Sequence, residues 1–180
     1  KRIQEALLPD MEMRKALFPE SFIFYRPRDI VSGDFYWFAE KNGKKLIAAV
    51  DCTGHGVPGS LVSIVAHSNL QRALNIFNLR KPSEILDLIN DSVDAMFNEQ
   101  GESNVNDGMD IALICFDRKG MSLEFAGANN AMYICRDGVL TEYKGNKQPS
   151  IHHGDANCPK TELKANSPTS GKKDAESNQR

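Results

Sequence analysis

The 180-residue sequence has no apolar run approaching the roughly 20 residues that a membrane-spanning helix needs, so a helical span is excluded. It has no surplus of charge of one sign: 22 Lys and Arg stand against 24 Asp and Glu, a net charge of −2. Such a balance lacks the broad positive field that phosphate backbones select, and nucleic acid is not an expected partner. Cysteine is sparse, and Cys52, Cys115, Cys135 and Cys158 form no C-x-x-C pair. Scattered thiols of this kind argue against a zinc site or a disulfide frame and fit a reducing cytoplasm. The opening Lys1-Arg2-Ile3-Gln4 is polar and helix-like rather than a signal peptide. What remains is 41% hydrophobic residues over a length that supports one domain with a core.

The two ends differ from the middle. In KRIQEALLP, Ile3 and Leu7 lie one turn apart and Pro9 ends the pattern, as expected for the end of a longer helix entering from upstream. Residues 1–20 are therefore read as the end of a linker or switch helix, and the chain as a fragment of a larger protein. From Asp155 onward there is no aromatic residue and almost no large aliphatic one, so residues 152–180 are expected to form a disordered or atypical tail.

Between them, periodicity predicts an α+β domain over residues 21–151. Phe22-Ile23-Phe24-Tyr25 is β-rich, and Asp34 to Phe38 reads as a strand. The Asn42-Gly43 pair closes a hairpin onto Leu46 to Val50, ending at Asp51. Pro58 suits the first turn of a helix running to about Asn75, and Pro82-Ser83-Glu84 opens a second, with Ile85, Leu88, Ile89, Val93 and Phe97 at helical spacing. Strands then resume at Met109–Phe116, Ser122–Ala128, Ala131–Arg136 and Val139–Tyr143. The short turns between them make antiparallel neighbours.

The richest motif is Val50-Asp51-Cys52-Thr53-Gly54-His55-Gly56-Val57-Pro58-Gly59-Ser60. Its G-x-G-x-x-G spacing after a strand and before a helix is that of a dinucleotide-binding turn. Against that stand the hairpin arrival of the strand, the lack of an acid-ended strand about 20 residues on, and Asp51 beside the would-be pyrophosphate. A carboxylate at a strand exit before a turn with exposed carbonyls also suits Mg²⁺ or Mn²⁺, which take oxygen ligands. The Asn42-Gly43 hairpin brings Asp34 to the same edge as Asp51. Two aspartates at strand ends hydrogen-bonded to backbone would satisfy the same spacing, and the residues leave both readings open. His55, within four residues of Asp51, could act as a general acid or simply orient the turn. His152-His153 reads as surface polarity rather than zinc, and Asp107 and Asp110 as structural acids around a turn. Gly127-Ala128-Asn129-Asn130 joins two strands whose backbones approach closely.

Taken together, KRIQEALLP, PRDIVSGDFYW, DCTGHGVPGS, DGMDIAL and AGANNAMY resemble the SpoIIE/RsbU-type serine/threonine phosphatases of the metal-dependent PPM (PP2C-like) superfamily. The resemblance implies an antiparallel β-sandwich flanked by helices. It implies that Asp51 is shared by two Mn²⁺ or Mg²⁺ ions, that the backbone carbonyl of Cys52 is a ligand, and that Asp34 binds metal directly or through water. Two such ions would activate a water for in-line attack on a phosphoserine or phosphothreonine. The implied partners are a phosphorylated regulatory protein of the anti-sigma-factor-antagonist type and an upstream sensory domain in the same chain. A homodimer through the N-terminal helix, and membrane attachment of the parent protein through its upstream region, complete the expectation.

Family members also carry a T-D-G or S-D-G segment and a further C-terminal Asp, neither of which follows Gln148-Pro149-Ser150-Ile151 here. The resemblance thus implies a domain whose C-terminal part is missing. Two alternatives stand beside the phosphatase: a non-catalytic relative that binds a phosphoprotein, and the dinucleotide-binding protein.

Overall fold

The computed structural model describes residues 7–27, 29–53, 56–98, 108–146 and 161–164. The chain opens with helix α1 (Met11–Leu17), whose first turn is held by Asp10: its carboxylate accepts from the Met13 amide at 2.6 Å. A hairpin of β1 (Phe35–Lys41) and β2 (Lys44–Cys52) follows, then helices α2 (Gly56–Asn75) and α3 (Pro82–Asn98), then β3 (Met109–Asp117) and β4 (Ser122–Ala128). A second hairpin, β5 (Met132–Arg136) and β6 (Val139–Tyr143), precedes a short strand β7 (Thr161–Lys164). The main sheet runs β1-β2-β3-β4-β7, antiparallel at every pairing, and β5-β6 stands as a separate two-stranded sheet.

The hairpin turn works as the sequence predicts. Asn42 and Gly43 both take positive φ, 53° and 79°, the geometry that matches strand twist in a two-residue loop. That turn sets the register in which Phe35 faces Val50 and Lys41 faces Lys44. Alternate residues of β2 and β3 then point to one face: Leu46, Ala48, Val50 and Cys52 from β2, with Met109, Ile111, Leu113 and Cys115 from β3. The buried side chains of α2 (Ala66, Leu70, Ala73, Leu74) and α3 (Ile85, Leu86, Ile89) cover that face and form one core with Trp37. The helix pair lies on the antiparallel sheet, as periodicity implied.

Three sequence expectations change. Phe22 to Tyr25 is not a strand: residues 21–27 are irregular, with Phe22 and Phe24 almost fully exposed. Alternation alone does not make a strand without a ladder partner, and Pro19 and Pro27 flank this stretch without amide donors. Within residues 1–20 the helical pattern does not stop at Pro9: helix α1 starts just beyond it, with Asp10 ahead of it and Arg14 and Lys15 in its last turn as the usual end signals. Finally, the region read as a disordered or atypical tail contains β7, paired with β4 so that Leu163 faces Leu123 and Thr161 faces Phe125. A four-residue edge strand draws on backbone hydrogen bonds, which composition does not report. The helical reading of residues 1–6 lies outside the described residues. Among those described, no helix is long and apolar enough to cross a membrane.

Candidate metal centre

The end of the sheet near Cys52 concentrates carboxylates. Asp51 is the penultimate residue of β2 and points away from the core, since its neighbours Val50 and Cys52 point into it. Asp34 sits one step before Phe35, whose partner is Val50, so the hairpin places it beside Asp51. The Asp34 amide donates to Ser32 Oγ at 3.0 Å, and the Tyr25 hydroxyl donates to the Asp34 carbonyl at 3.1 Å. Tyr25 also packs edge-on against Tyr36, at 5.7 Å between ring centroids. The irregular 21–27 segment therefore anchors the acid's backbone.

The two carboxylates feel each other. The Asp51 carboxyl is held above its ordinary value, first by partial burial, then by a hydrogen bond to Asp34 and by its negative charge. Two acids sharing one site either keep a proton between them or take up a cation, and an all-oxygen pair of this kind fits Mg²⁺ or Mn²⁺ better than a soft metal. They line a cleft of about 420 Å³ together with Tyr25, Arg26, Tyr36 and Asn130. Among the described residues, no three His, Cys, Asp or Glu converge to form a complete ion-binding group, so Asp34 and Asp51 stand as a pair.

The Cys52 side chain is unsuited to the site. It is buried in the core, and burial, followed by the charges of Asp51 and Asp34, pushes the thiol up to about 12. A thiol so protonated is no nucleophile at neutral pH. His55, the candidate general acid, lies outside the described residues, as do His152 and His153.

The residue that sequence reasoning did not bring to the site is Asp110. Pairing of β2 with β3 sets Asp51 directly opposite Asp110, and the Thr53 amide donates to the Gly108 carbonyl at 2.8 Å while the Gly108 amide donates back to Thr53 Oγ1 at 2.9 Å. The two strand ends are thereby clamped in register. Beyond Asp110, across β4, lies Asn129, whose Nδ2 donates to Asp110 Oδ1 at 2.7 Å. Local sequence could not place Asp110 against Asp51, because two helices separate the strands.

The dinucleotide reading fails on topology. A dinucleotide-binding turn joins a parallel strand to its crossover helix, whereas every strand pair among the described residues is antiparallel.

Known proteins agree with this architecture. The family model for Stage II sporulation protein E (SpoIIE) matches residues 41–166. The SiaA-PP2C domain of Pseudomonas aeruginosa is 33% identical, with a TM-score of 0.79, over 91% of this chain and 63% of that one. The PP2C phosphatase domain, with a fragment of the regulatory domain, of the cell fate determinant SpoIIE from Bacillus subtilis is 16% identical, with a TM-score of 0.59, over 76% of this chain and 39% of that one. RsbX, solved in complex with magnesium, is 10% identical, with a TM-score of 0.57, over 79% of this chain and 65% of that one. The latter two similarities are of fold alone. No curated protein matches. The chain spans less than two thirds of the SiaA domain it resembles. On the family match and the antiparallel sheet with its helix pair, the chain belongs to the SpoIIE family and has the PP2C-like phosphatase fold.

Proposed function

We propose that the chain is the front part of a Mn²⁺- or Mg²⁺-dependent protein serine/threonine phosphatase. It hydrolyses phosphoserine or phosphothreonine on a regulatory protein, as the output of a sensor. One observation carries the reading: Asp34 and Asp51 line one cleft side by side, where burial first and then the neighbouring Asp34 hold the Asp51 carboxyl above its ordinary value. Membership of the SpoIIE family supports it, as does the magnesium in the structurally similar RsbX.

Asp34, Asp51 and the carbonyl of Cys52 would hold the ion. A divalent cation there supplies Lewis-acid activation of water and neutralises charge on the phosphoryl oxygens. The chain's own residues do the rest. Ser32 and Tyr25 fix the backbone of Asp34, the core fixes β2 and with it Asp51, and Arg26 brings a guanidinium suited to a phosphate dianion into the same cleft. His55 is the candidate proton donor to the leaving seryl oxygen. The phosphorylated partner is of the regulatory kind that the family resemblance implies. An upstream sensory domain would act through residues 1–20.

Mn²⁺-stimulated hydrolysis of a phosphoserine peptide, abolished by Asp51→Asn, is the expected result. A well-folded longer protein carrying the downstream residues that shows no turnover would contradict it. Phosphoprotein binding that survives Asp51→Asn, with no metal response, would favour the non-catalytic relative, a reading prompted by the missing T-D-G segment.

A further inference from the structure

The sheet register sets Asp34, Asp51 and Asp110 in one row across β1, β2 and β3, all on the face away from the helices. Three adjacent carboxylates would be expected to repel one another or to converge on a common ion. Asp110 instead has a partner of its own. No triplet converges among the described residues, and one oxygen of Asp110 is taken at 2.7 Å by the Asn129 amide.

Asn129 is unusually well fixed for a loop residue. Its backbone is left-handed, with φ of 56°. Its amide donates to the Asn146 carbonyl at 2.7 Å, and the Asn146 amide donates to the Gly127 carbonyl at 2.8 Å. The approach is tight enough to demand glycine twice: a Cβ on Gly127 would sit 2.5 Å from the Asn130 carbonyl oxygen, and one on Gly145 would sit 2.6 Å from the Gly127 carbonyl oxygen. The loop delivers one amide to one carboxylate from a rigid support. Positive φ alone would be met as well by glycine, which cannot make the bond.

We infer that Asn129 is a positioning residue that holds Asp110 away from the Asp34–Asp51 pair, leaving room there for the phosphoryl group. The inference rests on the metal reading above. Ligand charge count tunes the affinity of oxygen sites for divalent cations, so releasing Asp110 adds a third anionic ligand.

The test is calorimetric titration of the chain with Mn²⁺, with folding of each variant checked by circular dichroism. Asn129→Gly keeps the left-handed backbone and removes the amide; Mn²⁺ is expected to bind it on the order of tenfold more tightly than wild type. Adding Asp110→Asn to that variant returns the affinity to the wild-type value, and Asp110→Asn alone, which still accepts from Asn129, leaves it unchanged. A purely structural Asn129 would lower the melting temperature of the glycine variant without this gain. Equal or weaker Mn²⁺ binding by Asn129→Gly would overturn the inference, as would a loss of affinity in Asp110→Asn alone. A wild-type chain that binds no Mn²⁺ overturns the metal reading itself, and this inference with it.

Discussion

The two faces of the five-stranded sheet are built from alternate residues of the same strands and do opposite work. The helix-covered face is buried to the last side chain, from Leu46 and Ala48 to Ile111 and Leu113. On the other face Ile47, Ala112 and Ile114 are half-buried, Ala49 is exposed, and the row ends in Asp51 and Asp110. The dry face fixes register, and the acidic face inherits it. A one-residue slip of β2 would drive Asp51 into the core and turn Val50 out, so burial of the aliphatic set also places the carboxylates.

This contrast yields a graded set of expectations. Leu113→Ala, on the dry face, is expected to cost about 2–5 kcal/mol in a denaturant titration, because it removes buried methyls and leaves a cavity. Ile114→Ala, one residue along on the opposite face, should cost less than half as much; equal losses would mean that the two faces are packed alike. Gly43→Ala, at a φ of 79°, is expected to cost about 1 kcal/mol by straining the turn that brings Asp34 to Asp51.

Smaller and opposite in sign is Asp51→Asn. Because the Asp51 carboxyl is held above its ordinary value, the folded state takes up that proton more readily than the unfolded chain. The metal-free protein should therefore gain stability as pH falls through the Asp51 range and lose it as pH rises beyond. Asn at this position should raise the metal-free melting temperature by a few degrees at neutral pH and flatten that pH dependence. A lowered melting temperature would show that the pair is not in conflict.

The least perturbing probe is chemical. Burial pushes the Cys52 and Cys115 thiols up to about 12 and about 11, whereas Cys135 lies exposed on β5. Alkylation at pH 8 followed by peptide mapping should label Cys135 and spare both core thiols until the chain is denatured. Labelling of Cys115 in the native state would mean that the helix-covered face opens. Cys52 and Cys115 should also cost stability as pH rises from about 9 through those values, since the folded state holds both thiols neutral.

How far the site could be read from sequence depends on how each pair of strands is joined. Asp34 and Asp51 are joined by a two-residue turn of recognisable chemistry, so counting outward from Asn42-Gly43 places one beside the other. The same count from the turn between Asp117 and Ser122 sets Asn129 opposite Asp110, although the sequence reading stopped at a close approach of backbones. Asp51 and Asp110 are different: their strands are joined through two helices, and that register is set by packing of the apolar face rather than by any local residue. The same limit explains β7, whose place on β4 depends on a free sheet edge far away in sequence. The irregular 21–27 segment failed in the other direction, its local pattern being strand-like without an edge to pair with.

The measurement that bears most directly on the proposed cation site is calorimetric titration of the chain with Mn²⁺, wild type against Asp51→Asn, at neutral pH. Saturable heat from the wild type and none from Asp51→Asn, in a variant that melts no lower than the parent, is the predicted result. Equal binding by the two proteins, or none by either, would contradict it.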